Sequence, residues 1–599
     1  MNPEIKTCQN CKSDFTIEPE HFAFYERISV PPPTFCPECR LVRRLIWRNE
    51  RSMYSRECDL CHKKILAVYP KESPFTVYCP DCWRGDAWDP MTYGVAYDFT
   101  KPFFEQYRLL MAAVPRMALN QNGTNVNSEY ANYIEGAKNV YFSFSAIWAA
   151  EDVYYSQSVT SSKNIFDSTN MTENDTMFQS IGGIKNYQCT FAYWSSSCID
   201  CHFTIDLTNC SNCLGCVGLK NRQYCIFNEQ YSKEEYDRKF ASYNLGSYAG
   251  QQDFIRMFEE FSLRCIRRYA RVVNSQDCVG DDLLNSRNLK HCFFASNCEN
   301  ITYGLRIAGG VKECMDVNNI GPNELTYEHG NGGSSQSQNL KFIAYGRQAQ
   351  INVTYGDYCN ASSDLFGCIA VKNKQYCILN KEYTKEAYEE LVPKIIAHMS
   401  DMPYTDAHGR VYTYGEHFPY EFSPFAYNET LAQEYFPLSK EQAVAKGYRW
   451  RDAEPRVHQP TITAAELPDN IADVDDSILS QIIGCAHAGS CNHQCSTAFK
   501  IIPTELAQYR KISVPLPRLC PNCRHYERLA KRNPLRLWHR QCNCGGKNSI
   551  STSANGMYRN TTSHLHHPNE TCPNTFETPY SPDRPEIVYC EQCYQQEIS

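Results

Sequence analysis

The sequence predicts a mainly β protein: a central right-handed parallel β-helix-like solenoid in two homologous halves, with a double ribbon of cysteine knuckles at each end. Three observations predict it. Paired cysteines crowd the two ends, short β-branched and aromatic runs recur at a near-constant spacing through the middle, and both patterns occur twice. A chain of 599 residues is long enough for several domains. Its 42% hydrophobic and 21% charged residues exclude wholesale disorder. No stretch approaches the roughly 18 apolar residues of a membrane span. The start, Met1-Asn2-Pro3-Glu4-Ile5-Lys6, lacks a basic segment followed by an apolar one. The reading is a cytoplasmic protein with no membrane partner. The 33 cysteines are the outlier, because in a reducing compartment thiols at such density are metal ligands more often than disulfides.

Residues 1–98 form the first double ribbon. Cys8-x2-Cys11 is answered by Cys36-x2-Cys39, and Cys58-x2-Cys61 by Cys79-x2-Cys82. A CxxC turn sets two sulfurs on one side of a knuckle, and two facing knuckles supply the four thiolates that tetrahedral zinc takes. Iron, in a rubredoxin-like site or a cluster, is the competing metal. The strings at 58–62 and 198–202 also read as c-type haem attachment, but that needs export, and Cys58 and Cys61 already have partners. Between the two sites, Arg40, Arg43, Arg44, Arg48 and Arg51 fall on one face of a helix, beside Trp47. Residues 99–124 read as a connecting helix.

The solenoid halves span 125–250 and 276–397. Runs open on Asn or Asp, as in Asn139-Val140-Tyr141-Phe142, Asp152-Val153-Tyr154-Tyr155, Asn164-Ile165-Phe166 and Asn186-Tyr187-Gln188-Cys189, then Asn288-Leu289-Lys290-His291-Cys292 and Asn300-Ile301-Thr302-Tyr303. Openings 13, 12 and 22 residues apart in the first half and 12 in the second predict coils of about 22 to 25 residues, with asparagine ladders at the corners and Cys, Phe and Ile inside. The segment 215–228 recurs as 367–380. Each copy enters a helix, 233–243 capped by Ser232 with Glu235 and 385–396 capped by Thr384. A linking helix occupies 251–275. The cysteines here read as small core thiols, and only Cys198, Cys201, Cys210 and Cys213 have the spacing of a fifth metal site. Residues 398–484 form a connector too aromatic and proline-rich to be a flexible linker, ending in a short helix over 468–483.

Residues 485–599 repeat the ribbon pair. Cys11 to Cys36 and Cys495 to Cys520 both span 25 residues, Cys39 to Cys58 and Cys523 to Cys542 both span 19, and Cys36-Pro37-Glu38-Cys39-Arg40 matches Cys520-Pro521-Asn522-Cys523-Arg524. The third site is then Cys491, Cys495, Cys520 and Cys523, with Cys485, His487 and His493 as alternative ligands. The fourth is Cys542, Cys544, Cys590 and Cys593, its halves separated by an insertion carrying His564, His566, His567 and Cys572. This gives about four zinc ions, five with the 198–213 set. The basic segment also recurs, as Arg524, Arg528, Lys531, Arg532, Arg536 and Arg540 beside Trp538. Residues 500–550 hold eleven Lys or Arg against Glu505 and Glu527, a local +9 in a chain with 59 basic and 67 acidic residues and a net charge of −8.

Such segregation is what phosphate-backbone binding needs, and Trp or Tyr among arginines can stack on unpaired bases. The leading expectation is a zinc-stabilised nucleic-acid-binding scaffold, with RNA ahead of DNA and Arg40, Arg43, Arg44, Trp47, Arg48, Arg524, Arg528, Lys531, Arg532, Arg536, Trp538 and Arg540 as its contacts. The rival is a protein-interaction scaffold whose ribbons are purely structural, their arginines docked on the acidic middle of the chain. An enzyme acting on a solenoid face ranks third. The sequence holds no nucleophile elbow, P-loop, dinucleotide loop or HExxH string. Asp281-Asp282 and Asp475-Asp476 read as turn and helix-start pairs, and no catalytic residue is assigned.

Three strings, Phe35-Cys36-Pro37-Glu38-Cys39-Arg40, Tyr427-Asn428-Glu429-Thr430 with Tyr435-Phe436-Pro437-Leu438, and Tyr580-Ser581-Pro582-Asp583-Arg584-Pro585-Glu586-Ile587-Val588-Tyr589-Cys590, give the chain a resemblance to the cysteine-rich, multi-zinc-ribbon proteins of candidate-phylum bacteria. The resemblance covers most of the chain. It implies zinc binding and transfers no activity.

Overall fold

A computed structural model describes residues 2–332, 336–452, 459–546, 550–553, 556–568 and 570–598. The chain forms two compact units, one from Met1–Leu119 with Ala270–Arg451, the other from Asn120–Tyr269 with Asp452–Ser599. The linear order is thereby interleaved. The N-terminal ribbons share a unit with the second half of the middle, and the C-terminal ribbons share one with the first half.

Each unit holds a stack of parallel strands. In the second unit Glu151–Tyr154, Lys163–Phe166, Asp175–Phe178, Tyr187–Tyr193, Ile199–Ile205, Ser211–Leu214 and Gln223–Ile226 are neighbours in that order. Partners lie 12 residues apart, as in Cys201 with Cys213 and Cys213 with Cys225. In the first unit Leu289 pairs with Ile301, and Leu365 with Cys377, at the same spacing. The 12-residue offset between paired strands is about half the coil length expected from the sequence. Its inner logic is a triplet. From Ala149 to Phe227 every third residue has a left-handed φ, 55° at Asp152 and at Asn164, and from Ile147 to Cys216 every third residue is buried. One position of each triplet faces out, one turns the corner and one points in. Asn and Asp tolerate the left-handed region better than other residues with a β-carbon, so they collect at the corners. There their side chains ladder, Asn209 donating to Asn221 at 2.7 Å and Asn288 to Asn300 at 2.8 Å. Asn186 departs from the expected corner role. It points inward, donating to the Ser195 carbonyl at 2.8 Å and accepting from the Cys198 amide at 2.9 Å.

Each stack ends in an antiparallel hairpin, Gln223–Ile226 with Glu229–Gln230 and Gln375–Ile378 with Lys381–Glu382. A helix follows each: Lys233–Ser242, whose Ser232 caps Glu235, and Lys385–Asp401, capped by Thr384. Tyr236 and Tyr388 set their rings 5.8 Å from Tyr224 and Tyr376, seating these helices on the last coils. The linking helix is Tyr248–Leu263, ending sooner than expected, because Ile266–Arg268 leaves it to pair with Ile587–Tyr589 of the last ribbon. The same device follows helix Phe103–Ala113, where Arg116–Met117 pairs with Val77–Tyr78 of the second ribbon. The connector is core: Phe418 is fully buried, 4.6 Å from the Tyr107 ring and 5.2 Å from Trp47. Further on, the expected short helix is replaced by the 3-10 turns Ile471–Asp473 and Asp476–Ser480.

Candidate metal centres

Four cysteine quartets can hold metal ions: Cys8, Cys11, Cys36, Cys39; Cys58, Cys61, Cys79, Cys82; Cys485, Cys495, Cys520, Cys523; and Cys542, Cys572, Cys590, Cys593. Each forms where a loop knuckle meets the start of a short helix. Cys36, Cys79, Cys520 and Cys590 are the N-caps of Pro37–Leu45, Pro80–Arg84, Pro521–Ala530 and Glu591–Glu597. Proline suits the first helical position, and the positive helix end favours thiolate. The N-cap amide donates to the first sulfur of the facing knuckle in every case: Cys36 to Cys8 at 3.3 Å, Cys79 to Cys58 at 3.2 Å, Cys520 to Cys485 at 3.3 Å and Cys590 to Cys542 at 3.2 Å.

Sulfur spacing provides the fit test. A tetrahedron with metal–sulfur bonds of about 2.3 Å has edges of about 3.8 Å. The sulfurs of Cys11 and Cys36 are 3.7 Å apart, Cys61 and Cys79 3.9 Å, Cys495 and Cys520 4.0 Å, and Cys572 and Cys590 3.8 Å. Hydrogen bonds from neighbouring cysteines hold Cys8, Cys520 and Cys590 well below the ordinary thiol range. At Cys58 burial opposes the thiolate, but the amides of Cys61, Cys79 and Leu60 outweigh it and bring the pKa to about 7.

Two ligands differ from the spacing argument. The third quartet uses Cys485 where sequence proximity had selected Cys491, and the fourth uses Cys572 where it had selected Cys544. In the C-terminal copy the knuckles are opened by insertions, so the helix-cap amide, rather than a short CxxC spacing, identifies the equivalent of Cys8. Cys572 matches Cys61, each spaced from its helix-cap cysteine like a tetrahedral edge. Among the middle cysteines, Cys198, Cys201, Cys210 and Cys213 are inward triplet positions. Each thiol lies 3.4 Å from the carbonyl oxygen two residues before it. Their CxxC spacing is the three-residue period of the coil, and their hydrogen bonds are met without an ion.

The basic faces go somewhere other than expected. Arg40, Arg43, Arg44, Arg48, Arg524 and Arg528 are each at most 3% exposed, and Trp47 is buried with them. Arg40 lies 2.8 Å from Asp316, Arg43 2.7 Å from Glu328 and 2.8 Å from Glu416, and Arg44 3.3 Å from Asp316. Arg48 pairs with Glu50 at 2.6 Å. In the second unit Arg524 and Arg528 converge on Asp167 at 2.9 and 3.0 Å, and Arg524 also donates to the Tyr509 hydroxyl at 2.9 Å. Burial opposes the charges of Arg40, Arg43 and Arg524, but the facing carboxylates more than offset it and hold these pKa values well above their ordinary range. These arginines are buried against carboxylates of their own chain. The later part of the C-terminal segment is more open. Lys531 and Arg536 are exposed while Arg532, Trp538 and Arg540 are half-buried. Lys531 faces Glu259 at 3.5 Å, Arg536 lies over Trp538 at 5.3 Å, and Arg540 donates to the Ser581 carbonyl at 3.2 Å. Sequence reasoning found the arginines and missed Asp316, Glu328, Glu416 and Asp167, which lie far away in sequence.

No described helix is long and apolar enough to cross a membrane. Comparison with protein families, with curated proteins and with solved structures finds no match.

Proposed function

We propose that the protein is a zinc-stabilised scaffold in which each ribbon pair is a clamp, fastened to one half of a right-handed parallel β-helix-like solenoid, and that its partners are proteins. The observation that carries this reading is the burial of the ribbon arginines against Asp316, Glu328, Glu416 and Asp167. A ribbon that spends its cations on its own chain lacks the charge that nucleic-acid binding draws on. Zinc suits the quartets because it takes four thiolates tetrahedrally and brings no redox chemistry. The right hand of the winding follows from the general preference of parallel crossovers. Tyr187 and Ile199, paired on neighbouring coils and 45% and 52% exposed, give the outer face an apolar element suited to protein contact.

The test uses the full-length protein. It should not bind single-stranded RNA or DNA at about 50 mM salt, and in-cell crosslinking should join coil residues near Tyr187 to protein. RNA retention that weakens on reversing the exposed Lys531 and Arg536 would overturn this reading in favour of nucleic acid.

A further inference from the structure

The C-terminal ribbons carry more donors than two mononuclear sites use. Beside the fourth quartet, His567 Nε2 lies 3.0 Å from Cys593 Sγ, His564 Nδ1 lies 3.2 Å from Cys544 Sγ, and the two ring nitrogens are 3.3 Å apart. The far side of each ring fixes its tautomer. His567 Nδ1 is 2.9 Å from the Glu570 carbonyl oxygen, which only accepts, so that nitrogen carries the hydrogen and Nε2 keeps its lone pair. His564 Nε2 is 2.8 Å from the Glu597 carboxylate, which turns the Nδ1 lone pair inward in the same way. Two lone pairs and two sulfurs therefore converge in a site where Cys544 and His564 are both fully buried. Facing lone pairs repel unless something positive lies between them. With metal–nitrogen bonds of about 2.0–2.1 Å, the nitrogen–nitrogen edge of a tetrahedron is about 3.3–3.4 Å.

We propose that Cys544, His564, His567 and Cys593 bind a second divalent transition-metal ion of the zinc class, with the Cys593 thiolate bridging it to the ion of the fourth quartet. Glu597 and the Glu570 carbonyl orient the histidines, the usual outer support of imidazole ligands. The third ribbon repeats the arrangement on separate evidence. Cys491 Sγ lies 3.6 Å from Cys523 Sγ, and His487, Cys491 and His493 cluster with that cysteine. The Nδ1 atoms of His487 and His493 are buried without a hydrogen-bond partner. The inference rests on the quartets being metal sites. It adds one ion to each C-terminal ribbon and leaves the N-terminal ribbons mononuclear.

Elemental analysis of the anaerobically purified full-length chain reads this directly, with two more ions per chain than the four quartets require. Cys544→Ser and His564→Gln should each remove one ion while the quartets stay loaded. A parent chain with four ions would overturn the second sites and leave the quartets standing, whereas fewer than four would strike at the quartets themselves. If the variants fail to fold, the parent loaded with NMR-active cadmium decides. Two pairs of cadmium resonances, each pair coupled through a shared sulfur, are expected, and uncoupled all-sulfur resonances alone would overturn the bridge. A proton shared between His564 and His567 in place of the ion would appear as that second outcome.

Discussion

Asp316→Ala removes the carboxylate that meets both Arg40, at 2.8 Å, and Arg44, at 3.3 Å, in a network fully buried at Asp316. Glu328 remains, 3.4 Å from Arg44 and 3.9 Å from Arg40, so the loss is partial compensation of two guanidiniums rather than exposure of either. Breaking a buried pair from one side costs about 3–5 kcal/mol, because the surviving charge keeps its desolvation penalty. At about 1.4 kcal/mol per decade that is roughly two to four decades in the opening equilibrium of the docked ribbon. The assay is amide hydrogen exchange in Pro37–Leu45, whose protection depends on the ribbon staying down. Glu313→Ala on the same strand is the control. It removes the exposed Arg27 pair at 2.9 Å and should leave exchange within roughly twofold of the parent. Arg40→Met combined with Asp316→Leu should recover much of the loss, since no charge is then left unpaired. If Asp316→Ala exchanges like the control, the arginines are not docking residues and the clamp reasoning fails.

Burial pushes the His329 imidazole down to about 3, so between that value and about 6.5 the unfolded chain takes up a proton that the folded chain refuses. Stability from this group is complete above about pH 6.5 and falls by about 1.4 kcal/mol per unit below it. Denaturant titrations from pH 7 to 5 should therefore show a shallower acid loss in His329→Gln, by one proton, and equal slopes would contradict the assignment. Chelation should expose the ribbon thiols to a water-soluble thiol reagent while coil thiols away from the ribbon stay protected, since burial pushes Cys359 up to about 12. Labelling of Cys359 ahead of Cys36 would refute this. Cys36→Ser should unfold the first ribbon and leave the parallel-strand signal of circular dichroism in place. A global loss of that signal would mean the stack cannot stand without its clamp.

Metal ligands were legible in the sequence because coordination demands particular residue types in matching sets, and the duplicated spacings of 25 and 19 residues exposed both ribbon pairs. Cys485 and Cys572 were harder, since insertions break the CxxC signal, and only the helix-cap amide singles out Cys485 and only the sulfur spacing to Cys590 singles out Cys572. The arginine face was legible as a face. Its destination was not, because arginines spaced along a helix read alike whether they meet phosphate or carboxylate, and Asp316 and Glu416 lie 276 and 373 residues away in sequence. The 12-residue pairing offset was hidden for a reason of composition. Inward positions alternate between apolar residues such as Ile165, Met171 and Met177 and small polar ones such as Ser168, Asn174 and Ser180, which are equally buried. Hydrophobicity thus shows only every second inward residue, and the three-residue period disappears. The recurring Asn and Asp corners survived as a signal because the left-handed backbone selects them.

The central claim, that metal-held ribbons clamp the strand stacks, is tested most directly by hydrogen exchange of the full-length protein before and after metal removal with a chelator at neutral pH. The account predicts that protection falls in Pro37–Leu45 and, with it, in the strand Lys312–Ile320 that carries Asp316, while Gln375–Ile378, covered by its own helix, keeps its protection. Loss confined to the ribbons, with Lys312–Ile320 unchanged, would contradict it.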